Sequence, residues 1–250
     1  MENLRTLRRL SKVGLVAAAL VVVATVGART AGAGVINISA DDSSWNRANN
    51  TGASSQPNTL AGNNGSSGPL RGLYTFDLAA LEAAAGGQPV AVNSVALTMI
   101  ANNNSAGIAA GDSEWFDLVL STSSPLIDQT YAQLGWDTNP SAGFAGVLSS
   151  FEVTAPVATN DTLVFGSTSA FCQAIADIAN DPANSRVNAV VKHQSETTAE
   201  QAFLRLYGYA SYNPATTMVI DYSIVPEPAT MVVLAMGGGA LLVLRRRRRN

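Results

Sequence analysis

Histidine and cysteine, the side chains from which most nucleophilic and metal centres are made, occur once each, as His193 and Cys172. A single cysteine forbids an intrachain disulfide. A single histidine forbids the paired-histidine zinc motifs and with them most zinc hydrolases. A Ser-His-Asp triad would have to use His193. No Gly-x-Ser-x-Gly elbow is present, and residues 192–196 read as a polar turn, so His193 is expected to be a solvated loop residue. Cys172 falls on or near the buried face of an expected helix, where a thiol serves as a small apolar side chain rather than as half of a Cys-His dyad. No glycine-rich phosphate cradle follows a strand, which argues against nucleotide chemistry. Two carboxylates facing each other across a cleft could still hydrolyse a glycoside. Acids scattered through polar loops are more often a solvated surface, so the chain is read as no enzyme, with no catalytic residue.

Basic residues are also scarce away from the two ends. Between 34 and 225 there are five, Arg47, Arg71, Arg186, Lys192 and Arg205, against sixteen acids, a net charge of −11. Such a body cannot contact many phosphates, so nucleic acid is excluded as a partner. Oxygen donors at Asp41, Asp42, Asp112, Glu114 and Asp117 sit in loop-like positions, which leaves a structural calcium as the one cofactor open, without EF-hand spacing. Aromatic residues are few, and only three are tryptophan. Trp115 lies in an expected strand and should be core. Trp45 and Trp136 lie in expected loops, which makes them the candidates for stacking on a sugar ring.

What the interior lacks in positive charge is concentrated at the ends. Arg5, Arg8, Arg9 and Lys12 precede an uncharged apolar run over 13–28, and Ala31-Gly32-Ala33 follows. A basic start, an apolar stretch shorter than the roughly 20 residues of a comfortable span, and a small-x-small site read as a signal peptide over 1–33. Cleavage is expected after Ala33, with Ala28 the second choice. At the other end Pro226, Glu227 and Pro228 precede an apolar stretch over 229–244, and Arg245, Arg246, Arg247, Arg248 and Arg249 close it before Asn250. Arginines beside a membrane segment stay on the cytoplasmic side. Both ends therefore place 34–225 on the same outer face. As a helix the apolar stretch would rise only about 24 Å against a hydrocarbon core of about 30 Å, and Gly237-Gly238-Gly239 weakens it. A transient sorting element fits better than a permanent anchor. This arrangement over 226–250 resembles the PEP-CTERM sorting signal. The resemblance implies processing by an exosortase after translocation, membrane contact through this segment before processing, and association with an exopolysaccharide matrix.

The body between these segments, about 190 residues, suffices for one domain with a real core. Residues 35–40 alternate as a half-buried opening strand, whereas 41–69 is dominated by Asp, Ser, Asn and Gly and is expected to be a long loop. Residues 71–78 alternate clearly, a short turn or helical stub follows at 81–87, and further strands are expected at 90–101 and 114–121, with a turn cluster at 102–107. Weaker strands follow at 144–153 and 161–166. One helix is expected over 169–180, with Ser169 as N-cap and Asp181-Pro182 as its stop. Closing strands are expected at 187–191, 202–209 and 217–224. Many short strands separated by turn clusters specify a mainly β fold, an antiparallel β-sandwich of jelly-roll type with one short helix. Arg71, Leu73, Phe76, Asp77 and Leu78, followed by Trp136 and Pro140, make this body similar to the DNRLRE-type domain, a secreted jelly-roll. The family's name-giving cluster is absent after Arg205, and the helix lacks its tryptophan.

The expectation is thus an exported protein of the cell envelope, outer surface or extracellular matrix of a Gram-negative-type bacterium, handled by signal peptidase and an exosortase. Its role is structural or exopolysaccharide-associated. The alternatives are a carbohydrate-binding module using Trp45 and Trp136 or, less favoured, a carboxylate-dependent enzyme acting on polysaccharide.

Overall fold

A computed structural model describes residues 32–225 except 49–55, 66–67, 107, 109–110, 123–125, 128, 137–138, 140, 142, 197–200 and 210–214. One compact unit spans Ala33–Ser223. Its elements are β1 (Ala33–Ser39), β2 (Asp42–Arg47), β3 (Asn58–Asn64), β4 (Pro69–Asp77), α1 (Ala79–Ala85), β5 (Val90–Ala106), β6 (Ser113–Ser121), β7 (Phe144–Thr154), β8 (Thr162–Phe165), α2 (Ser169–Ala179), β9 (Arg186–His193), β10 (Gln201–Tyr207) and β11 (Thr217–Ile224). Neighbouring strands run β1-β11-β5-β10-β3-β4-β9-β6-β7, with β2 on β4 and β8 on β5. The result is a curled antiparallel β-sandwich of jelly-roll type.

The long strand β5 joins the two layers. Its middle pairs with β8, from Leu97 opposite Phe165 to Ile100 opposite Thr162. Its end pairs with β10, from Ala101 opposite Leu206 to Ala106 opposite Phe203, through register shifts that bend the strand. Alternation on β11 places Met218, Ile220 and Tyr222 inward. β4 is buried from Leu70 to Phe76 without alternation, because it lies between β2 and β9 and is covered on both faces.

Two expectations are corrected here. The stretch 41–69 is not one long loop, since it supplies β2 and β3. Their side chains are small or polar yet buried, Ser43, Ser44, Asn46, Thr59, Ala61 and Asn63 among them. Burial is tolerated because hydrogen bonds replace water: Ser43 Oγ donates to the Gln56 carbonyl at 2.7 Å, and Asn46 Nδ2 to the Gln129 carbonyl at 2.8 Å. Likewise the asparagines after 101 do not turn the chain; β5 continues through them to Ala106, and Asn102 bonds the Asn58 amide. The expected helical stub is α1, ended by Gly86 in the left-handed conformation. Helix α2 is capped by Thr168 rather than Ser169, with the Phe171 N–H donating to Thr168 Oγ1 at 3.0 Å, and it buries Phe171 and Ile175.

Close pairing of β3 with β10 depends on Gly62, whose φ is 139° and whose added Cβ would meet the Ala202 carbonyl oxygen at 2.3 Å. Gly62→Ala is expected to lower stability by about 3 kcal/mol in a chemical denaturation series, because the β10 backbone at Ala202 and Phe203 would have to move. Gly166→Ala, where a Cβ meets nothing within 4 Å, should stay within about 0.5 kcal/mol.

Candidate functional site

An open groove of about 270 Å³ lies where β2, β3, β5 and β10 approach, lined by Trp45, Gln56, Asn58, Leu60, Asn102 and Arg205. Asn58 and Leu60 are the outward positions of β3, and Arg205 lies directly opposite Leu60 on β10. Four strands thus bring an indole, a guanidinium and a row of amides to one place. Asn102 Nδ2 donates to Asn58 Oδ1. That bond leaves Asn58 Nδ2 as a donor and Asn102 Oδ1 as an acceptor with no partner among the described residues. The Arg205 guanidinium sits 5.7 Å from the Phe203 ring centroid.

Three other cations of the body are paired with carboxylates. Arg186 pairs with Asp41 at 2.9 Å, and Lys192 reaches Asp117 at 3.7 Å. Arg71, 0 % exposed, donates from Nε and Nη2 to the two Glu196 carboxylate oxygens at 2.7 and 2.5 Å. Its guanidinium carbon lies 4.4 Å from the Trp136 ring centroid, 4.9 Å from Tyr131 and 5.0 Å from Phe144. Among the described residues Arg47 and Arg205 form no ion pair.

The aromatic expectations are therefore partly reversed. Trp136, read as an exposed glycan contact, is 1 % exposed and packs in a cluster with Leu73, Val119, Tyr131 and Val190. A buried cation recruits it from the loop into the core. Trp115, expected inside, is 44 % exposed because it takes an outward position on β6. Trp45 keeps its place at an open groove, though on a strand rather than a loop.

His193 is also corrected: it ends β9 and is 3 % exposed rather than solvated. Nδ1 lies 2.8 Å from the Ser195 carbonyl oxygen and 3.0 Å from the Ser195 nitrogen, Nε2 lies 2.9 Å from a Glu114 carboxylate oxygen, and the ring meets Phe116 edge-on at 5.3 Å. Cys172 is half-buried beside Ser167 Oγ at 3.2 Å, so thiol and imidazole are held by different partners. Asp117, far from being a loop ligand, lies buried in β6 and accepts from Ser150 Oγ at 2.6 Å. With Asp41 on Arg186 and Glu114 on His193, the acids weighed for calcium do not converge. Among the described residues no three His, Cys, Asp or Glu side chains could hold a metal. Tyr74 is fully enclosed, and burial pushes its phenol well above the ordinary tyrosine range, with the adjacent Thr59 and Thr216 hydroxyls opposing.

Ala33 is the first residue of β1. Ala31, Pro226, Glu227, Pro228 and Arg245–Arg249 lie outside the described residues, as do Pro140 and the expected C-terminal apolar helix. Among the described residues no helix is long and apolar enough to cross a membrane. Sequence reasoning missed Arg205, Asn58 and Asn102. The available signal was a lone arginine at the outward position of the apolar run Phe203-Leu204-Arg205-Leu206.

No protein-family model and no curated protein matches the chain. Among solved structures it is similar to the K3 adhesin domain of Lys-gingipain from Porphyromonas gingivalis W83, at 9% identity and TM-score 0.35 over 74% of this chain and 99% of that one. It is similar to a family two carbohydrate esterase from Cellvibrio japonicus, at 12% identity and TM-score 0.24 over 80% of this chain and 36% of that one. It is also similar to the BFDV capsid protein, at 10% identity and TM-score 0.29 over 78% and 99%. At such scores none of the three bears on what this chain does.

Removing one member of the Arg71–Glu196 pair leaves a buried charge without its counter-ion. Glu196→Gln is expected to cost about 3 kcal/mol, and Arg71→Met with Glu196→Gln should cost less than the sum of the single changes, read from urea denaturation as a double-mutant cycle. A second expectation follows from Tyr74. Its pKa is higher folded than unfolded, so its contribution is fully present below the unfolded value of about 10 and is lost as pH rises through the folded value. Melting temperature should fall above pH ~10, and Tyr74→Phe should flatten that fall.

Proposed function

We propose that this chain is an exported envelope protein whose β-sandwich works without catalysing a reaction, as a structural component in or near an exopolysaccharide matrix. Signal peptidase removes 1–33, and an exosortase acts at Pro226-Glu227-Pro228 once 34–225 is outside. The destination is the outer surface or extracellular matrix of a Gram-negative-type bacterium. The carrying observation is the order of three elements at the C-terminus: Pro-Glu-Pro, a short glycine-interrupted apolar stretch, and five arginines. With the basic N-terminus it gives one consistent topology.

The interior supports a non-catalytic reading. His193 and Glu114 satisfy one another, Asp117 is occupied by Lys192 and Ser150, and Cys172 sits apart from both. Kinship of the body to the DNRLRE-type domain is supported by the contact between the two motifs on which it rests, since Arg71 stacks on Trp136.

Intact mass and fractionation of the protein from its native host test this reading. The expected mass lacks both 1–33 and the arginine cluster, and Pro226→Ala with Pro228→Ala should leave the cluster attached and the protein in the membrane. A wild-type protein that keeps Arg245–Arg249 in the membrane fraction is a simple anchored protein, and the exosortase reading is then wrong.

A further inference from the structure

The geometry points to a saccharide subsite in the groove between Trp45 and Arg205, built for one carboxylate-bearing pyranose ring, a uronate, within a longer polymer. It goes beyond the export reading and does not depend on how the tail is processed. The half-buried indole of Trp45 and the apolar body of Leu60 offer a face for the C–H side of the ring. The Asn58 Nδ2 donor and Asn102 Oδ1 acceptor, fixed by their mutual hydrogen bond, suit a pair of vicinal hydroxyls, each of which donates and accepts. Preorganisation of the two amides removes part of the ordering cost of binding.

Arg205 selects the class of sugar. In a body of net charge −11 it has no carboxylate partner among the described residues. Its planar fork matches a carboxylate bidentately, and stacking near Phe203 orients it without using its N–H donors. The groove, at about 270 Å³, is smaller than the roughly 300–1,000 Å³ of pockets that enclose a drug-sized ligand. An open groove of that size takes one ring of a passing chain rather than a free oligosaccharide.

The test is binding of the purified full-length chain to polygalacturonate, dextran and dextran sulfate at physiological ionic strength. The expected result is binding to polygalacturonate, with dextran and dextran sulfate each weaker by about tenfold or more. Trp45→Ala and, separately, Arg205→Gln should each weaken the uronate complex by about tenfold, with circular dichroism and melting temperature unchanged. Arg205 is exposed, so its variant stays informative if Trp45→Ala unfolds. No binding to polygalacturonate, equal binding to dextran or dextran sulfate, or binding indifferent to Arg205→Gln would each overturn the assignment.

Discussion

One buried ion pair organises the face of the sandwich around β4. Taking a guanidinium and a carboxylate out of water costs several kcal/mol per ion, and Coulomb attraction repays it only with good geometry. Here the geometry is bidentate, and three aromatic rings surround the cation. Arg71 comes from the middle of the sheet, Glu196 from the segment after β9, and Tyr131, Trp136 and Phe144 from the connection between β6 and β7 and the start of β7. A hydrophobic substitute at 71 could fill the volume, but it would not fix which ring lies over which side chain. The pair's role is therefore better described as specifying one arrangement of that connection than as supplying net stability.

The same interaction decides the fate of the tryptophans. An indole in a polar loop reads as exposed until a buried cation is found beneath it, and hydropathy patterns contain no information about such a partner. Trp136 is drawn inward by Arg71 at 4.4 Å. Among the described residues no comparable cation lies under Trp45, which stays at the rim with Arg205 across an open groove. One arginine thus makes a core, and another, at an outward strand position, makes a surface.

Strands with ordinary chemistry were legible. Sequence alternation marked β4, although its burial is continuous, and the apolar runs of β6 and β11 also read as strands; β11 agrees to the residue and, alone of the three, buries one face cleanly. The helix was legible from the spacing of Phe171 and Ile175, while its cap was displaced by one residue, since Thr168 and Ser169 carry equivalent hydroxyls. What escaped was the part of the sheet made from polar side chains. β2 and β3 bury serine, asparagine and threonine whose hydrogen bonds come from residues distant in sequence, such as Asn46 to Gln129. His193 escaped for the same reason, its partner Glu114 lying on a neighbouring strand. The groove inherits this blindness: Asn58 and Asn102 are loop-forming residues by composition, and only the pairing of β3 with β10 and of β10 with β5 places them beside Arg205.

An acidic body and an acidic polymer repel, and the groove has to work against that field. The opposition is long-range, whereas the recognition is short-range. At physiological salt the Debye length is about 8 Å, so charges spread over the rest of the surface are largely hidden from a ring seated in the groove. A carboxylate touching Arg205 is within hydrogen-bonding distance and is screened much less. Repulsion then falls on the approach rate and contact energy on the lifetime of the complex. Arg205 in an acidic surface therefore gives little hold to polyanions that present charge alone and retains those that also offer a ring face to Trp45.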